Sequence, residues 1–162
     1  FDQKIRTIFI DDYQKAKNSK YDHWQNNANE CLALIILLDQ FSRNLFRNNA
    51  KAFAMDKKAR QIANKAIDQE YHLKLKQDQT MFIFLPFMHS EKLSDQIYCG
   101  KLINSYFKKH PNYEDAIKYA QLHENIIRKF GRFPYRNKVL ERESTKEEKE
   151  YLNSTHHSFF NI

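Results

Sequence analysis

The segment from Cys31 to Arg47 constrains the fold more than any other part of the chain, because its first half is apolar on every side. Every residue from Leu32 to Leu38 is hydrophobic. A helix that is apolar all round has to be surrounded by other elements. We therefore predict a central core helix over this segment, with Asn29 as its N-cap.

The second half of the same segment has a polar face. At about 100° per residue, a wedge of roughly 140° contains Asp39, Gln40, Arg43, Asn44 and Arg47. Asp39 and Arg43 form an acid-before-base pair at i,i+4, which stabilises a helix without any ligand. Arg43 and Arg47 repel each other at the same spacing and favour an anion or a carboxylate between them. The wedge is therefore either a polar pocket or a buried ion-pair network.

The low content of chain-breaking residues indicates helices elsewhere. The 162 residues include only 2 Gly and 3 Pro, and hydrophobic residues make up 41%. Apolar residues recur mainly at spacings of three and four, which is the helical period. We predict an all-α fold of about seven helices in a single domain, residues 1–162.

Local signals set the predicted helix boundaries. Ser90 suits the N-cap of the fifth helix, Gly131 ends the sixth, and Ser144-Thr145 with Glu147 and Glu148 indicates a capping box for the last. Trp24 is predicted to pack its loop against the core, and the tail after residue 153 is predicted to be loose. The predicted helices cover residues 2–18, 31–47, 51–69, 81–87, 91–108, 113–129 and a stretch from 145 onward, with 71–77 as a connector.

The charge balance favours anionic partners in general. The chain has 27 basic and 20 acidic residues, a net charge of +7. The lysines are spread among acids without a dense basic block, so nucleic acid is the less favoured partner. No apolar run approaches the roughly 20 residues that span a bilayer, and no signal peptide is visible. Two cysteines without a CxxC motif indicate a reduced, cytoplasmic protein.

A second candidate cluster is His89-Ser90-Glu91. A His-x-Glu pair at a helix start supplies either two metal ligands or an acid and a base. Helix capping alone also accounts for Ser90 and Glu91, and nothing nearby completes a motif such as HExxH. We therefore predict no metal site and no cofactor.

A third cluster lies in the second half of the chain. His123 falls in the middle of the apolar stripe of the sixth helix, where a core histidine is the commoner outcome. Arg132 and Arg136 flank a Phe-Pro turn that holds their side chains in place, with Asn137 and Arg142 following. Guanidinium groups on such a loop suit a carboxylate or phosphate ligand, and they equally suit acids on neighbouring helices.

Four segments together resemble one known family: LLDQFSRNLFR (37–47), AFAMD (52–56), FLPFMHSEKLSDQ (84–96) and HENIIRKFGRFPYRNKVLERESTKEE (123–148). They are similar to a bacterial family catalogued as domain of unknown function nine-two-four, which is grouped with TPR-like helical proteins. The resemblance implies a stack of antiparallel helix pairs and no established activity. It also implies an N-terminal segment upstream of Phe1. Three positions depart from the family pattern: Ser42 replaces a usual Pro, and Asn48 and Glu141 replace usual Gly residues.

The clusters together predict that the protein binds a small anionic ligand or an acidic peptide. Arg43, Arg47, Arg132 and Arg136 would hold the anion, while His89 and His123 would donate hydrogen bonds. By motif match, the predicted ligand-binding residues are Arg43, Asn44, Arg47, His89, Glu91, His123, Arg132, Arg136, Asn137 and Arg142.

Two alternatives stay open. The first is an enzyme with Asp39 or Glu91 as base, His123 as acid and arginines stabilising negative charge. The second is a protein-interaction scaffold in which these residues are structural. The oligomeric state is not predicted.

Overall fold

The computed structural model describes residues 2–154, and every regular element among them is helical. The all-α prediction is therefore confirmed. The α-helices are α1 Asp2–Lys17, α2 Ala28–Ile35, α3 Ser42–Leu45, α4 Asp56–Asp68, α5 Tyr71–Lys74, α6 Gln77–Met88, α7 Leu93–Tyr106, α8 Tyr113–Phe130 and α9 Lys146–Asn153. Short 3₁₀ turns occupy Asp22–Asn26, Ala50–Phe53 and Pro134–Arg136. None of the helices described is both long enough and apolar enough to cross a membrane.

The predicted central helix lies at the core. Leu34, Ile35 and Leu38 have no exposed surface, and α2 packs against both α4 and α6. The apolar run is covered because α4 contributes a row of small residues, among them Ala59 and Ala63, that allow close approach. The apolar run is therefore buried on most sides, as predicted, but Ala33 and Ile36 on one face are only half-buried.

The central helix is not regular throughout. Between α2 and α3 the chain makes a π-helical turn, Ile36–Phe41, where the sequence predicts an ordinary helix. A π turn adds a residue and so rotates everything that follows it. Asp39 and Arg43 are buried together, whereas Arg47 lies beyond the end of α3 at Leu45 and is exposed. The side chains of Ser42 and Arg43 both donate to the main-chain carbonyl of Asp39.

Helices α6, α7 and α8 form the second half of the molecule. Helix α7 packs against α6 on one side and α8 on the other, and α6 also contacts α8 and α4. Pro86 lies near the end of α6, where it removes one hydrogen bond of the helix, and α6 ends two residues later at Met88. This packing sets the end of α6 next to the π turn, and it leaves a gap between α6 and α8.

Several predicted boundaries are wrong by a few residues. The N-cap of α2 is Asn27, whose Oδ1 accepts from the amides of Asn29 and Glu30. Helix α4 begins at Asp56 instead of residue 51, because Asn49 caps a separate 3₁₀ turn. Residues 71–77 include the short helix α5. The fifth predicted helix begins at Leu93, since Ser90 accepts from the amide of Lys92 instead of capping a helix directly after itself.

Other local predictions are confirmed. Gly131 ends α8 with a φ of 70°, a conformation that few residues other than glycine adopt readily. Thr145 and Glu148 form the predicted capping box of α9. Trp24 is half-buried against the core and stacks on Tyr21 with ring centroids 4.1 Å apart. The predicted loose tail lies, from residue 155 onward, outside the described residues.

Candidate functional site

A cleft of about 550 Å³ lies between α6 and α8, and we call it the α6–α8 cleft. Its walls are mainly apolar, which is the usual composition of a small-molecule site. His89 and His123 are the candidate residues from the sequence that line it. The full lining is Asp78, Met81, Phe82, Leu85, Met88, His89, Phe107, Asn112, Asp115, Ala116, Tyr119 and His123.

His89 is held at the cleft by a buried carboxylate. Its Nδ1 lies 2.9 Å from each carboxylate oxygen of Asp39, so the ring donates Nδ1–H to that group. Gln40 donates to the same carboxylate at 2.6 Å. The Asp39 side chain has no exposed surface, whereas 11% of the His89 side chain is exposed. The ring edge that carries Nε2 is therefore the part of His89 that faces the cleft.

Behind this pair lies a buried ion cluster of two carboxylates and two guanidinium groups. Arg43 bridges the two carboxylates: its Nη1 lies 3.4 Å from Oδ1 of Asp39, and its Nη2 lies 3.2 Å from Oδ1 of Asp56. Arg136 lies 3.6 Å from Asp56 and is sandwiched between the rings of Phe53 and Phe133, with centroids 4.6 and 4.5 Å from Cζ. The formal charges of the cluster cancel. A protonated His89 would thus add an unbalanced charge to a buried site.

The charges around His89 settle its protonation state. Burial lowers the pKa of His89, and the positive charges of Arg43 and Arg136 lower it further, outweighing the attraction of Asp39. Burial by itself would raise the pKa of Asp39, but His89 and Arg43 outweigh it and the pKa lies well below its usual range. At neutral pH the pair is a neutral imidazole beside a carboxylate, and Nε2 carries a lone pair.

His123 is the second imidazole of the cleft. Its Nδ1 lies 2.8 Å from the carbonyl oxygen of Tyr119 and donates to it. Its ring packs edge-on against Phe133, with centroids 5.5 Å apart. Burial, together with the charges of His89 and Arg136, lowers the pKa of His123 to about 4. At neutral pH it is therefore uncharged.

Comparisons with known proteins agree with the resemblance seen in the sequence. The family described as "Bacterial protein of unknown function (DUF924)" matches residues 1–156. The chain belongs to this family. A solved structure of a protein of unknown function from Agrobacterium tumefaciens is similar, with 36% identity and a TM-score of 0.88 over 96% of this chain and 85% of that chain. No match is found among the curated proteins.

Residues 132–143 form a segment that we call the arginine loop. None of its side chains is part of the lining of the cleft. Arg132 makes two hydrogen bonds to Glu148, of 2.7 and 2.8 Å, and Asn137 donates to the same carboxylate at 3.2 Å. Arg142 binds Glu91 through both terminal nitrogens, at 2.7 and 3.0 Å. These hydrogen bonds hold the arginine loop against α9 and against the segment just before α7.

The remaining predicted residues also lie away from the lining of the cleft. Arg47 is exposed and Asn44 is half-buried at the end of the central helix. Glu91, besides binding Arg142, accepts from the amide of Phe133 at 2.8 Å. Among residues 2–154, no three His, Cys, Asp or Glu side chains are grouped so that they could hold a metal ion.

Asp56, Asp78 and Asp115 are not among the residues predicted from the sequence. Asp56 is the carboxylate that two arginines require, but it pairs with Arg43 and Arg136 instead of Arg43 and Arg47. The sequence showed that the arginines need a carboxylate, but it did not show that Asp56 supplies it. The other two are first-turn acids of α6 and α8. Such residues are common at helix starts and carry no signal of a cleft.

Two departures from the DUF924 pattern have a backbone explanation. Asn48 and Glu141, which replace usual glycines, have φ values of 60° and 54°. This left-handed region is strained for residues with a Cβ, and least so for asparagine. The glycine that is usual at each of these positions therefore suits the backbone of a turn. Neither position lines the cleft.

Proposed function

We propose that the α6–α8 cleft binds a small, mainly apolar organic molecule and that His89 acts on it as a general base. The observation that supports this most is the contact of 2.9 Å between His89 Nδ1 and the buried carboxylate of Asp39, in a ring that lines the cleft. A carboxylate on one edge of an imidazole fixes its tautomer and stabilises the imidazolium that forms when the other edge takes a proton.

The protonation state supports the same role. Because the pKa of His89 is lowered by burial, the ring is uncharged at neutral pH and can accept a proton from a bound water or from a substrate hydroxyl. Asp39 has no exposed surface, so in this proposal it is a positioning residue that does not touch the substrate. His123 lies on the opposite wall and offers a second polar contact.

The anion-binding hypothesis receives less support than general-base chemistry. It relied on Arg43, Arg47, Arg132 and Arg136, and none of these lines the cleft. Arg132 and Arg43 are already bonded to carboxylates of the chain. The acidic peptide and scaffold hypotheses remain alternatives to the proposal. The cytoplasmic location also stays a prediction, consistent with two free, buried cysteines.

The test is a ligand screen followed by an assay for turnover. Neutral esters, amides and alcohols are screened by thermal shift against the wild type and against Leu85→Trp, which fills the cleft. Compounds that bind the cleft raise the melting temperature of the wild type alone. Their products are then sought by mass spectrometry.

The decisive variant is His89→Asn. Asparagine places an amide near the position of Nδ1 and keeps the hydrogen bond to Asp39, but it has no equivalent of Nε2. We expect binding to survive and turnover to fall by about a hundredfold or more. His23→Asn, at an exposed histidine outside the cleft, is the matched control and leaves both unchanged. Turnover that persists in His89→Asn would refute the proposal, and binding without any turnover would identify a binding protein.

A further inference from the structure

The charge of the α6–α8 cleft is opposite in sign to that of the whole protein. The chain has 27 Lys and Arg residues and a net charge of +7, yet no Lys or Arg lines the cleft. Asp78 and Asp115 are the lining residues with a full formal charge at neutral pH. The cleft is therefore locally negative on a positive molecule, which favours a cationic ligand over an anionic one.

The polar groups are separated along the cleft. Helix α6 has Asp78 in its first turn and His89 directly after its last residue, eleven residues further on. This separation is roughly 16 Å along a helix. Helix α8 repeats the order, with Asp115 in its first turn and His123 in its second half. The cleft thus has a carboxylate end and a histidine end.

The carboxylate end is built by the turn between α7 and α8. His110 Nδ1 accepts from the amide of Asn112 at 3.1 Å, so its proton is on Nε2. That nitrogen lies 2.7 Å from Oδ1 of Asp78, whose side chain is 81% exposed. The contact ties the start of α6 to the turn before α8, and it leaves Oδ2 of Asp78 available to a ligand.

The wall between the two ends is apolar. Met81 and Leu85 line it from α6, Ala116 lines it from α8, and Phe107 comes from the end of α7. Phe82 and Tyr119 are partly exposed there, at 37% and 38%. An uncharged chain fits this wall, and a charged group does not.

We infer that the ligand carries an ammonium group at one end of an apolar chain. The ammonium group binds at the carboxylate end of the cleft, near Asp115 and Asp78. The chain lies along Met81 and Leu85, and the polar group that reacts lies at His89. This inference deepens the proposed function and depends on it. The cleft and His89 define the site, and the two carboxylates decide the class of ligand.

The test uses three probes with the same carbon chain: hexylamine, hexanol and hexanoate. Binding is measured by calorimetry to the wild type, to Asp115→Asn and to Glu114→Gln. Glu114 is the matched control because it is an exposed acid in the same first turn of α8 but does not line the cleft. Leu85→Trp tests whether each probe binds in the cleft.

Of the three probes, we expect hexylamine to bind most tightly and hexanoate most weakly. Asp115→Asn should weaken hexylamine binding by about fivefold, while hexanol binding and the Glu114→Gln variant stay unchanged. The effect of Asp115→Asn should shrink as salt is added.

The outcomes that overturn the inference differ from those that overturn the proposed function. If hexanol binds as tightly as hexylamine and Leu85→Trp abolishes both, the cleft is a binding site but the ammonium preference is wrong. If hexanoate binds best, the original anion hypothesis is restored. If none of the probes binds in the cleft, the inference fails, whereas the proposed function still stands or falls with the turnover of His89→Asn.

Discussion

The ion pairs that hold the arginine loop and the cluster formed by His89 with Asp39 and Arg43 contain the same kinds of side chain and use them differently. The carboxylates of Glu148 and Glu91, which bind Arg132 and Arg142 of the loop, have both oxygens bonded to groups of the chain itself. In the cluster, His89 is bonded to Asp39 on one edge and faces the cleft with the other. A cluster of charged residues is thus a candidate site only where hydrogen-bonding capacity remains at a concave, mainly apolar surface.

The largest expected difference between the two regions is in stability. Glu148→Ala removes a carboxylate that is 2% exposed and leaves Asn137 and the amide of Thr145 without their acceptor. We expect the free energy of unfolding to fall by about 3 kcal/mol. His89→Asn keeps a hydrogen-bond donor for Asp39, so it should lower the free energy of unfolding by about 1 kcal/mol or less.

Urea denaturation of the two variants, with an unchanged m-value, measures this difference. Turnover should show the reverse order, whereas ligand binding should survive in both variants, because Glu148 does not line the cleft. Equal stability losses in the two variants would mean that the histidine is as structural as the loop carboxylate.

The two regions should also lose stability in different pH ranges. The bond from Arg132 and the amide of Thr145 lower the pKa of Glu148 to about 2, against 4.5 for an unperturbed glutamate. Burial lowers the pKa of His123 to about 4, against 6.5. In both cases the unfolded chain binds the proton first as the pH falls, so each group destabilises the fold on acidification.

We therefore expect stability to fall between about pH 6.5 and 4 through His123, and between about pH 4.5 and 2 through Glu148. Free energies of unfolding across this range provide the measurement. His123→Gln should flatten the upper range only in part, since burial also lowers the pKa of His89 and His72. Glu148→Gln should flatten the lower range, also only in part, since the pKa values of Asp39 and Glu91 are lowered as well. A His123→Gln variant with an unaltered upper range would contradict the assignment.

The smallest expected effect is a gain in stability within the arginine loop. Glu141 has a φ of 54°, so Glu141→Gly relieves backbone strain, and the greater freedom of glycine in the unfolded chain offsets part of the gain. We expect a net increase of about 0.5 kcal/mol in the free energy of unfolding. Asn48→Gly should gain less, since asparagine tolerates this conformation.

Lys138→Gly is the matched control for this change, because residue 138 lies in the same loop and is not among the residues with positive φ. It should lower stability. Neither glycine variant should change ligand binding in the cleft. A shift in binding by Glu141→Gly would show that the loop and the cleft are coupled, which the comparison of the two regions does not predict.

Much of the secondary structure was predictable because its causes are local. The apolar run from residue 32 to 38 required a buried helix, and Gly131, Thr145 and Glu148 marked helix ends that the structure contains. The π turn at Ile36–Phe41 was not predictable from periodicity. The end of α3 at Leu45 was not predictable either, and it leaves Arg47 outside the helix and exposed while Asp39 and Arg43 are buried together.

The sequence by itself determined the helical class, the buried central segment and the residue types that could form a site. Only the tertiary structure decided which of them meet. Asp39 and His89 are 50 residues apart, and Asp78 and Asp115 come from the starts of two helices separated by a third. Caps and periodic stripes depend on neighbours within a few residues, whereas an ion pair or a cleft depends on which helices pack together. Because of that packing, the arginines of the arginine loop are paired with carboxylates of the chain, and one edge of His89 faces the cleft.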